Sequence, residues 1–476
     1  MVLEGGGSAG RKTFALVLLC SASFVAVLDL TIVAIALPSV RRELGFSGGD
    51  AQWVLTGYAL SFGGLLLLMG RVGDLYGRRR LFMAGLAVFG GASLLGGLAW
   101  APWVLVGARL LQGVGGAALV PASLALVAAT FAEGEERNRA IGVYGAMAGV
   151  GFVSGMVLGG VVTEFLGWRW VLFVNVPVAL AVLALAPVAI QESKDDAAPR
   201  TMDLAGAATA TLGLASLIYA VSEAPKNGWA SPATLGTAGL GAVLLGLFVA
   251  AERRASAPLV PLPILRRRAV AVPNAAVVLK SMIGAAQLYV LTLYFQDALG
   301  RTPLEAGLLF IPMTVASVVA SPVAGRLTTR LGAGRTAAWG FGISGAGLVL
   351  VASRMAHEDA LPAVLLGMAV AEAGFVTASV PLTIAATEGV GDDEQGLASG
   401  VLSTTTELGN ALGWAVVAAV ITAATAASGA NALLGGLRWG LWSAIAFAVL
   451  ALTLVVVFMR PGSRETARSS ANVTEP

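Results

Sequence analysis

The sequence predicts an all-α polytopic membrane protein with fourteen transmembrane helices. Of its 476 residues, 57% are hydrophobic and only 12% are charged, whereas charged residues make up about a quarter of a typical soluble domain. The mean hydropathy of +0.83 points the same way. A soluble chain of this composition could not bury so much apolar surface, so lipid is expected to cover a large part of it.

Apolar runs account for most of the chain. Runs of about 17–25 residues are long enough to cross a bilayer as a helix. The first follows Arg11 and Lys12 directly, and its length predicts a membrane helix rather than a cleaved signal. The predicted spans are 14–38, 51–69, 80–100, 102–126, 139–163, 170–190, 204–222, 233–251, 271–296, 304–324, 335–352, 361–387, 397–425 and 438–459.

The basic residues orient these spans. With the N-terminus inside, 21 lysines and arginines fall on the cytoplasmic side and seven fall outside, and such an excess is typical of cytoplasmic connections. Both termini are therefore predicted to be cytoplasmic. The sequence pI of 9.2 is explained by this placement, so we expect no nucleic-acid partner.

A short charged segment occurs twice, 255 residues apart. The first copy, Gly70–Arg80, holds four arginines, one aspartate and three glycines, and the second, Gly325–Gly332, is weaker. Each lies between the second and third spans of a set of six, which predicts two parallel repeats with a substrate site near the bilayer midplane. The predicted units are an N-terminal six-helix bundle (1–190), a linker with two extra transmembrane helices (191–268), a C-terminal six-helix bundle (269–460) and a cytoplasmic tail (461–476).

We interpret the first charged copy as a gate on the cytoplasmic side. A plain basic loop that only sets topology remains the alternative, but topology requires neither the glycine spacing nor the aspartate. In the second copy Thr329 stands where the first has Asp74, so the gate is predicted to be asymmetric. The predicted gate residues are Gly70, Arg71, Gly73, Asp74, Gly77 and Arg78.

Five charged residues fall in the interior of predicted spans, more than two residues from either end, where an ionisable side chain is costly and usually faces a cavity or a partner. Asp29, Glu407 and Glu372 are candidate proton-coupling acids, with Asp29 the first choice and Glu407 the second. The alternative for Asp29 is a permanent ion pair that holds two helices together. Either glutamate could neutralise Lys280 in a buried pair. Arg109, the fifth residue, could instead serve only as a hydrogen-bond donor to backbone carbonyls.

Polar side chains recur at helical spacing in the spans, which predicts the lining of a substrate cavity. The clearest face lies in span thirteen and combines polar and aromatic residues. The predicted cavity residues are Ser403, Asn410 and Trp414 in span thirteen, Lys280, Gln287 and Tyr294 in span nine, and Gln112 in span four. Together the five intramembrane charges are one unit negative, which favours a cationic or neutral substrate.

Several segments resemble the major facilitator superfamily and, within it, the fourteen-helix drug:proton antiporters. Gly70–Arg80 is similar to the superfamily's motif A, and Arg109–Gly116 is similar to its motif B. By this resemblance Arg109 would modulate the proton on a nearby acid. The resemblance implies the major facilitator fold. Further segments that match the fourteen-helix branch are Leu28–Pro38, Gln52–Tyr58, Trp168–Pro177 and Gly396–Gly400.

Three positions depart from the pattern of that branch. In span five the glycines of the antiporter motif are retained as Gly151, Gly155 and Gly159, which predicts a close helix contact. Met156 occupies the place of the motif's proline, so a proline-set kink is in doubt. The other two departures are Ala34 for a usual asparagine and Thr406-Glu407 for arginine-glutamine.

The resemblance implies proton-coupled efflux of small amphipathic drugs or toxic metabolites by alternating access. The expected partners are a hydrophobic, neutral or cationic small molecule, protons and the lipid bilayer, with the chain acting as a monomer in a bacterial inner membrane. Proton-coupled symport and dedicated export of one metabolite or lipid remain alternatives. An intramembrane enzyme is disfavoured because Cys20 and His357 are the single cysteine and histidine, so neither a metal nor another cofactor is expected.

Overall fold

The computed structural model describes residues 5–46, 50–132, 134–193, 203–255, 258, 267–357, 359–387, 395–427 and 432–459. Within these ranges the chain is helical and contains no strand. Fourteen helical stretches are long and apolar enough to cross a membrane. The predicted all-α class and the fourteen spans are therefore confirmed. The predicted cytoplasmic tail lies outside the described residues, as do parts of the 191–268 linker.

Nine α-helices form the first eight spans. The sixth span consists of two short helices in series, and the seventh and eighth are the inserted pair. These helices are α1 (Gly5–Leu44), α2 (Trp53–Tyr76), α3 (Arg78–Gly97), α4 (Pro102–Thr130), α5 (Glu135–Phe165), α6 (Arg169–Phe173), α7 (Asn175–Ala189), α8 (Leu204–Asn227) and α9 (Pro232–Arg254).

Seven further α-helices form the last six spans. The first of them continues into a π-helical turn at Tyr294–Ala298, and the tenth span is again two helices in series. The helices are α10 (Arg268–Leu293), α11 (Pro303–Leu309), α12 (Ile311–Leu331), α13 (Ala333–Arg354), α14 (Leu361–Thr387), α15 (Gln395–Ala427) and α16 (Ala432–Phe458).

The first charged segment is helical, so the prediction of a connection over Gly70–Arg80 was wrong. Helix α2 runs on to Tyr76 and α3 begins at Arg78, because charged residues end the apolar run without ending the helix. Only Gly77 separates the two helices. Its φ of 110° lies in the region that favours glycine, and a Cβ atom there would lie 2.8 Å from the Glu192 carboxyl group.

The two halves of the molecule contact each other through α2 and α15 and across one side of the molecule. We call the side that carries Gly77 and its counterpart Gly332 the hinge side, and the other the opposite side. On the opposite side, Arg41 of α1 forms an ion pair of 2.8 Å with Asp297 of the π-helical turn. The neighbouring Gln296 donates a hydrogen bond of 2.7 Å to a backbone carbonyl of α1. The opposite side is therefore closed.

Among the described residues, helix α5 packs on the second half from its middle toward the opposite side. A Cβ atom at Gly160 would lie 2.6 Å from the carbonyl oxygen of Pro303 in α11. Toward the hinge side, positions Gly142, Gly145 and Gly149 have no neighbouring atom within 4 Å. Across the described residues, α5 packs on α11 without comparable packing on α12. The seam between α5 and α12 is therefore open toward the hinge side.

The inserted helix α8 covers the seam on the other flank, between α2 and α15. The hydroxyl of Thr211 in α8 donates a hydrogen bond of 3.2 Å to the carbonyl oxygen of Gly64 in α2. Lys226, at the end of α8, forms an ion pair with Asp50. Helix α9 packs on α8 and is largely exposed. The inserted pair thus seals one flank of the molecule.

The glycines of span five bring α5 against α1. Cβ atoms at Gly151 and Gly155 would lie 2.6 Å and 2.8 Å from carbonyl oxygens of α1, and one at Gly159 would lie 3.2 Å from another. Backbone contact at these distances excludes larger side chains. The helix continues through Met156 without interruption. The close approach follows from the glycines alone.

Candidate functional site

Asp29, near the middle of α1, is fully buried and accepts hydrogen bonds from three side chains. Arg109 of α4 donates to Oδ2 at 2.5 Å. Gln112, one turn further along α4, and Asn175, at the start of α7, each donate to Oδ1 at 2.7 Å. Both carboxylate oxygens are therefore satisfied in the ionised form, without contact with solvent.

Ser93 of α3 completes this polar network. Its hydroxyl accepts hydrogen bonds from Gln112 at 2.9 Å and from Asn175 at 3.4 Å, and it donates to the carbonyl oxygen of Phe89 at 2.8 Å. The sequence interpretation missed both Ser93 and Asn175, although Asn175 lies in the Trp168–Pro177 segment. A polar residue within an apolar span was the available signal. The network joins α1, α3, α4 and α7.

Arg109 has three neighbours besides Asp29. Its Nε donates to the carbonyl oxygen of Val54 in α2 at 2.8 Å, and its Nη1 donates to Gln112 at 2.6 Å. The guanidinium carbon lies 4.5 Å from the ring centroid of Tyr58. Among the described residues, Nη2 has no hydrogen-bond partner. Arg109 thus combines an ion pair with the backbone hydrogen bond that the alternative interpretation expected.

A cavity of about 320 Å³ lies between the two halves. Helices α1, α2 and α4 line it from the first half, and α10, α14 and α15 line it from the second. Three predicted site residues, Lys280, Ser403 and Glu407, contribute to its wall. Its polar and aromatic lining consists of Ser23, Tyr58, Phe62, Lys280, Thr383, Ser403, Thr406 and Glu407.

The charged groups of the second half lie near one another without pairing directly. Lys280 donates a hydrogen bond of 3.4 Å to Ser379, and its ammonium nitrogen lies 5.1 Å from the ring centroid of Phe375. The described residues include no ion pair within 4 Å between Lys280 and Glu372 or Glu407. The suggested buried lysine–glutamate pair is therefore not formed in this structure.

Glu407 accepts one long hydrogen bond, of 3.4 Å, from Asn410, whereas Glu372 is 5% exposed and lies away from the cavity wall. Of the described acids in the second half, Glu407 is therefore the one that faces the cavity.

Over the described ranges, no group of three or more histidine, cysteine, aspartate or glutamate side chains is arranged to hold a metal ion.

Some predicted cavity residues do not line this cavity in the structure. Gln287, Tyr294 and Trp414 are buried in the core of the second half, and Gln112 belongs to the Asp29 network. Helical periodicity identifies a face but not a depth. At 1.5 Å per residue, Trp414 lies roughly 16 Å beyond Ser403 along α15, toward the side where the halves are closed. Contact of these residues with a substrate stays a prediction.

The predicted gate residues lie at the end of α2 and the start of α3. Asp74 accepts hydrogen bonds of 3.1 Å and 2.9 Å from Arg78. The backbone nitrogen of Arg79 donates to Glu192 at 2.9 Å, an acid that the sequence interpretation missed. Arg78 belongs to the first half and Glu192 to the linker that follows it, so neither partner comes from the second half. The remaining predicted gate residues, Gly70, Arg71 and Gly73, lie within α2 and Gly77 follows it.

Comparison with known proteins places the chain in a family. The sequence profile of the Major Facilitator Superfamily matches residues 19–270 and 274–475. The chain is 40% identical over 485 residues to the puromycin resistance protein pur8 of Streptomyces alboniger, covering 98% of this chain and 95% of that protein. It is 39% identical over 439 residues to the cephamycin export protein CmcT of Amycolatopsis lactamdurans, covering 90% of each.

A solved structure shows the same fold at low identity. It is the crystal structure of a bacterial homologue of the human lysosomal transporter Spinster, in an inward-facing and occupied conformation. The TM-score is 0.65 at 14% sequence identity, with 95% of this chain and 97% of that chain covered. With the profile matching both halves, the chain belongs to the Major Facilitator Superfamily, as one of its fourteen-helix members.

Proposed function

We propose that this protein exports small amphipathic molecules in exchange for protons by alternating access. The observation that carries the proposal is the cavity between the halves, which combines a lysine, a glutamate, hydroxyl groups and two aromatic rings. Such a mixed lining suits molecules with an apolar body and a few polar groups. The named roles of the two relatives, puromycin resistance and cephamycin export, support efflux.

The excess of basic residues supports a cytoplasmic hinge side in a bacterial inner membrane. In that orientation the structure is closed toward the outside, and the α5–α12 seam is open toward the cytoplasm. Cargo would load from the cytoplasmic side in this conformation. We propose that both termini are cytoplasmic; the first and last residues lie outside the described ranges. We further propose that the protein acts as a monomer, driven by the proton gradient and without a cofactor.

Asp29 is our first choice for the coupling acid, and Arg109 is the group that responds to its charge. Protonation of Asp29 would remove the negative partner of a fully buried guanidinium, and a buried unpaired charge is strongly unfavourable. The network would therefore rearrange when the proton binds. Glu407 is the second choice, because it faces the cavity, and Glu372 is the third. A proton crossing 100 mV contributes about 2.3 kcal/mol to the exchange.

The charges of the second half favour a neutral or cationic cargo. Lys280 and Glu407 lie on the cavity wall and Glu372 lies away from it, so the intramembrane charges of this half sum to one unit negative when both acids are ionised. Ser403 and Thr406 add hydroxyl groups to the same wall. A cation would find a counter-charge at Glu407, and an apolar ring would find Tyr58 opposite.

Susceptibility of a pump-deficient bacterial host tests this function. We expect expression of the chain to raise resistance to some members of a panel of puromycin, a cephamycin and cationic dyes, and a proton uncoupler to abolish the effect. An unchanged host would favour dedicated export of one metabolite or lipid. Increased sensitivity, with cargo accumulating in the cell, would favour proton-coupled symport instead.

The gate is proposed to act only when the hinge side closes. In this structure Asp74 pairs with Arg78 inside the first half, so its contacts across the halves have yet to form. We expect Asp74→Asn to slow efflux in proteoliposomes roughly tenfold, which corresponds to about 1.4 kcal/mol in a two-state equilibrium. The purified variant should remain monodisperse, because Asp74 is half-exposed.

Thr329→Val is the matched control for this variant, because Thr329 occupies the equivalent position in the second copy and carries no charge. We expect its efflux rate to stay near that of the wild type. Equal rates for Asp74→Asn and wild type would contradict the proposed gate.

A further inference from the structure

Tyr58 lies between the central cavity and the buried Asp29 network. The residue belongs to α2, near the opposite side, and is only 3% exposed. Tyr58 is one of the residues that line the cavity. The guanidinium carbon of Arg109 lies 4.5 Å from the ring centroid. Tyr58 is therefore in contact with both the space that would hold cargo and the cation that holds Asp29.

The face of the Tyr58 ring attracts the part of the Arg109 guanidinium that makes no hydrogen bond. Nε and Nη1 of Arg109 are occupied by Val54, Asp29 and Gln112, whereas Nη2 has no hydrogen-bond partner among the described residues. A cation over an aromatic face is attracted by the ring electrons, and more strongly where water is excluded. The ring thus helps to hold the guanidinium in the plane that faces Asp29.

Glycines of α4 leave the space that Tyr58 occupies. A Cβ atom at Gly113 would lie 2.4 Å from the carbonyl oxygen of Tyr58, and one at Gly116 would lie 3.0 Å from its hydroxyl oxygen. On the other side Tyr58 stacks on Phe62, with ring centroids 5.7 Å apart and an interplanar angle of 23°. Because Phe62 also lines the cavity, the two rings form one continuous wall.

We propose that Tyr58 is a positioning residue that couples occupancy of the cavity to the proton on Asp29. Cargo packed against the wall of Tyr58 and Phe62 would press the ring onto Arg109 and keep the guanidinium on the ionised Asp29. A proton on Asp29 would release Arg109 and let the ring move into the cavity. Cargo and proton would then compete without sharing a binding atom. The inference rests on the proposed proton-coupled export.

Other charged groups face the same cavity and enter the design of the test. Glu407 and Lys280 line the wall of the second half opposite Tyr58. Asp29 and Arg109 lie behind the ring, whereas Ser93, Gln112 and Asn175 of the network do not titrate. Glu407 could itself make cargo binding depend on pH, so every variant is measured with and without Glu407→Gln.

The test measures binding of puromycin and of ethidium to the full-length protein in nanodiscs as a function of pH. We expect the affinity of the wild type to fall as the pH is lowered, by up to about tenfold per pH unit, which is the limit for one competing proton. Tyr58→Phe should preserve this dependence because it keeps the ring. Tyr58→Leu should bind with an affinity that no longer changes with pH.

Phe62→Leu is the matched control, because Phe62 lines the same wall and its ring is not the one beneath Arg109. We expect it to weaken binding at every pH and to keep the pH dependence. Tyr58→Met, which is also without a ring, replaces Tyr58→Leu if the latter does not fold.

The outcomes separate the inference from the function on which it rests. If cargo binding still depends on pH in both Tyr58→Leu and Tyr58→Met, the proposed role of Tyr58 is overturned. If the pH dependence disappears with Glu407→Gln alone, Glu407 is the group responsible for it. Failure of both probes to bind the wild type at any pH overturns the export proposal for such cargo, and the role of Tyr58 with it. Loss of the dependence only in the ringless variants supports the inference.

Discussion

Asp29→Asn is expected to reduce proton-coupled efflux to the level of empty liposomes. Asparagine has nearly the size of aspartate and resembles the protonated acid, so Gln112, Asn175 and Ser93 can still pack around it. It cannot release a proton, however, and the cycle would stop in one charge state. The measurement is cargo and proton flux in proteoliposomes with an imposed pH gradient, together with cargo binding, which should persist at the weaker affinity that the wild type shows at low pH.

Glu407→Gln is the comparison for this experiment. Glu407 faces the cavity and accepts a single long hydrogen bond from Asn410, so we expect its substitution to change cargo preference, chiefly for cations, and to leave coupling in place. If Glu407→Gln uncouples the protein and Asp29→Asn does not, Glu407 is the coupling acid. Undiminished coupling in both variants would direct attention to Glu372.

Arg109→Met is expected to destabilise the protein more than any other single change to the site. It leaves the Asp29 carboxylate buried without its cation, and breaking a buried pair by removing one partner costs about 3–5 kcal/mol. We expect a lower yield of folded protein and a lower apparent melting temperature in detergent. The double variant with Asp29→Asn should recover much of the loss, because it removes the unpaired charge.

Lys280→Met provides a matched comparison for a buried cation. Lys280 has a hydroxyl group and an aromatic ring as neighbours, with no ion pair within 4 Å in the described part of the chain. The loss of Lys280 should therefore lower the melting temperature less than the loss of Arg109 does.

The Arg109→Met prediction has its own contradicting outcome. Additive effects of Arg109→Met and Asp29→Asn in a double-mutant cycle would show that these two residues do not interact energetically.

The fold could be predicted from the sequence because lipid imposes a simple length rule on apolar runs. The helices extend beyond those runs, however. Helix α2 continues through Asp74 to Tyr76, since a helix that leaves the bilayer keeps its internal hydrogen bonds and tolerates charged side chains. The break at Gly77 depends on a backbone conformation, which hydropathy does not report.

The site was predictable where burial of a charge is costly and less so elsewhere. Asp29 and Arg109 stand out in apolar spans, and an ion pair with an unnamed partner was the open alternative for Asp29. Asn175 and Ser93 carry no charge, so their burial gives a weak signal until their partners are known. Tyr294 and Trp414 share helical faces with polar residues, but their depth depends on which side of the molecule is closed.

The covered flank along α8 gives the protein a distinct front and back within the plane of the membrane. A molecule dissolved in the leaflet next to the hinge side and approaching between α2 and α15 meets α9 and then α8. On the α5–α12 flank, within the part of the chain that the structure describes, no inserted helix stands between that leaflet and the seam. Lipid-soluble cargo can therefore approach laterally from one flank, before it ever enters the surrounding water.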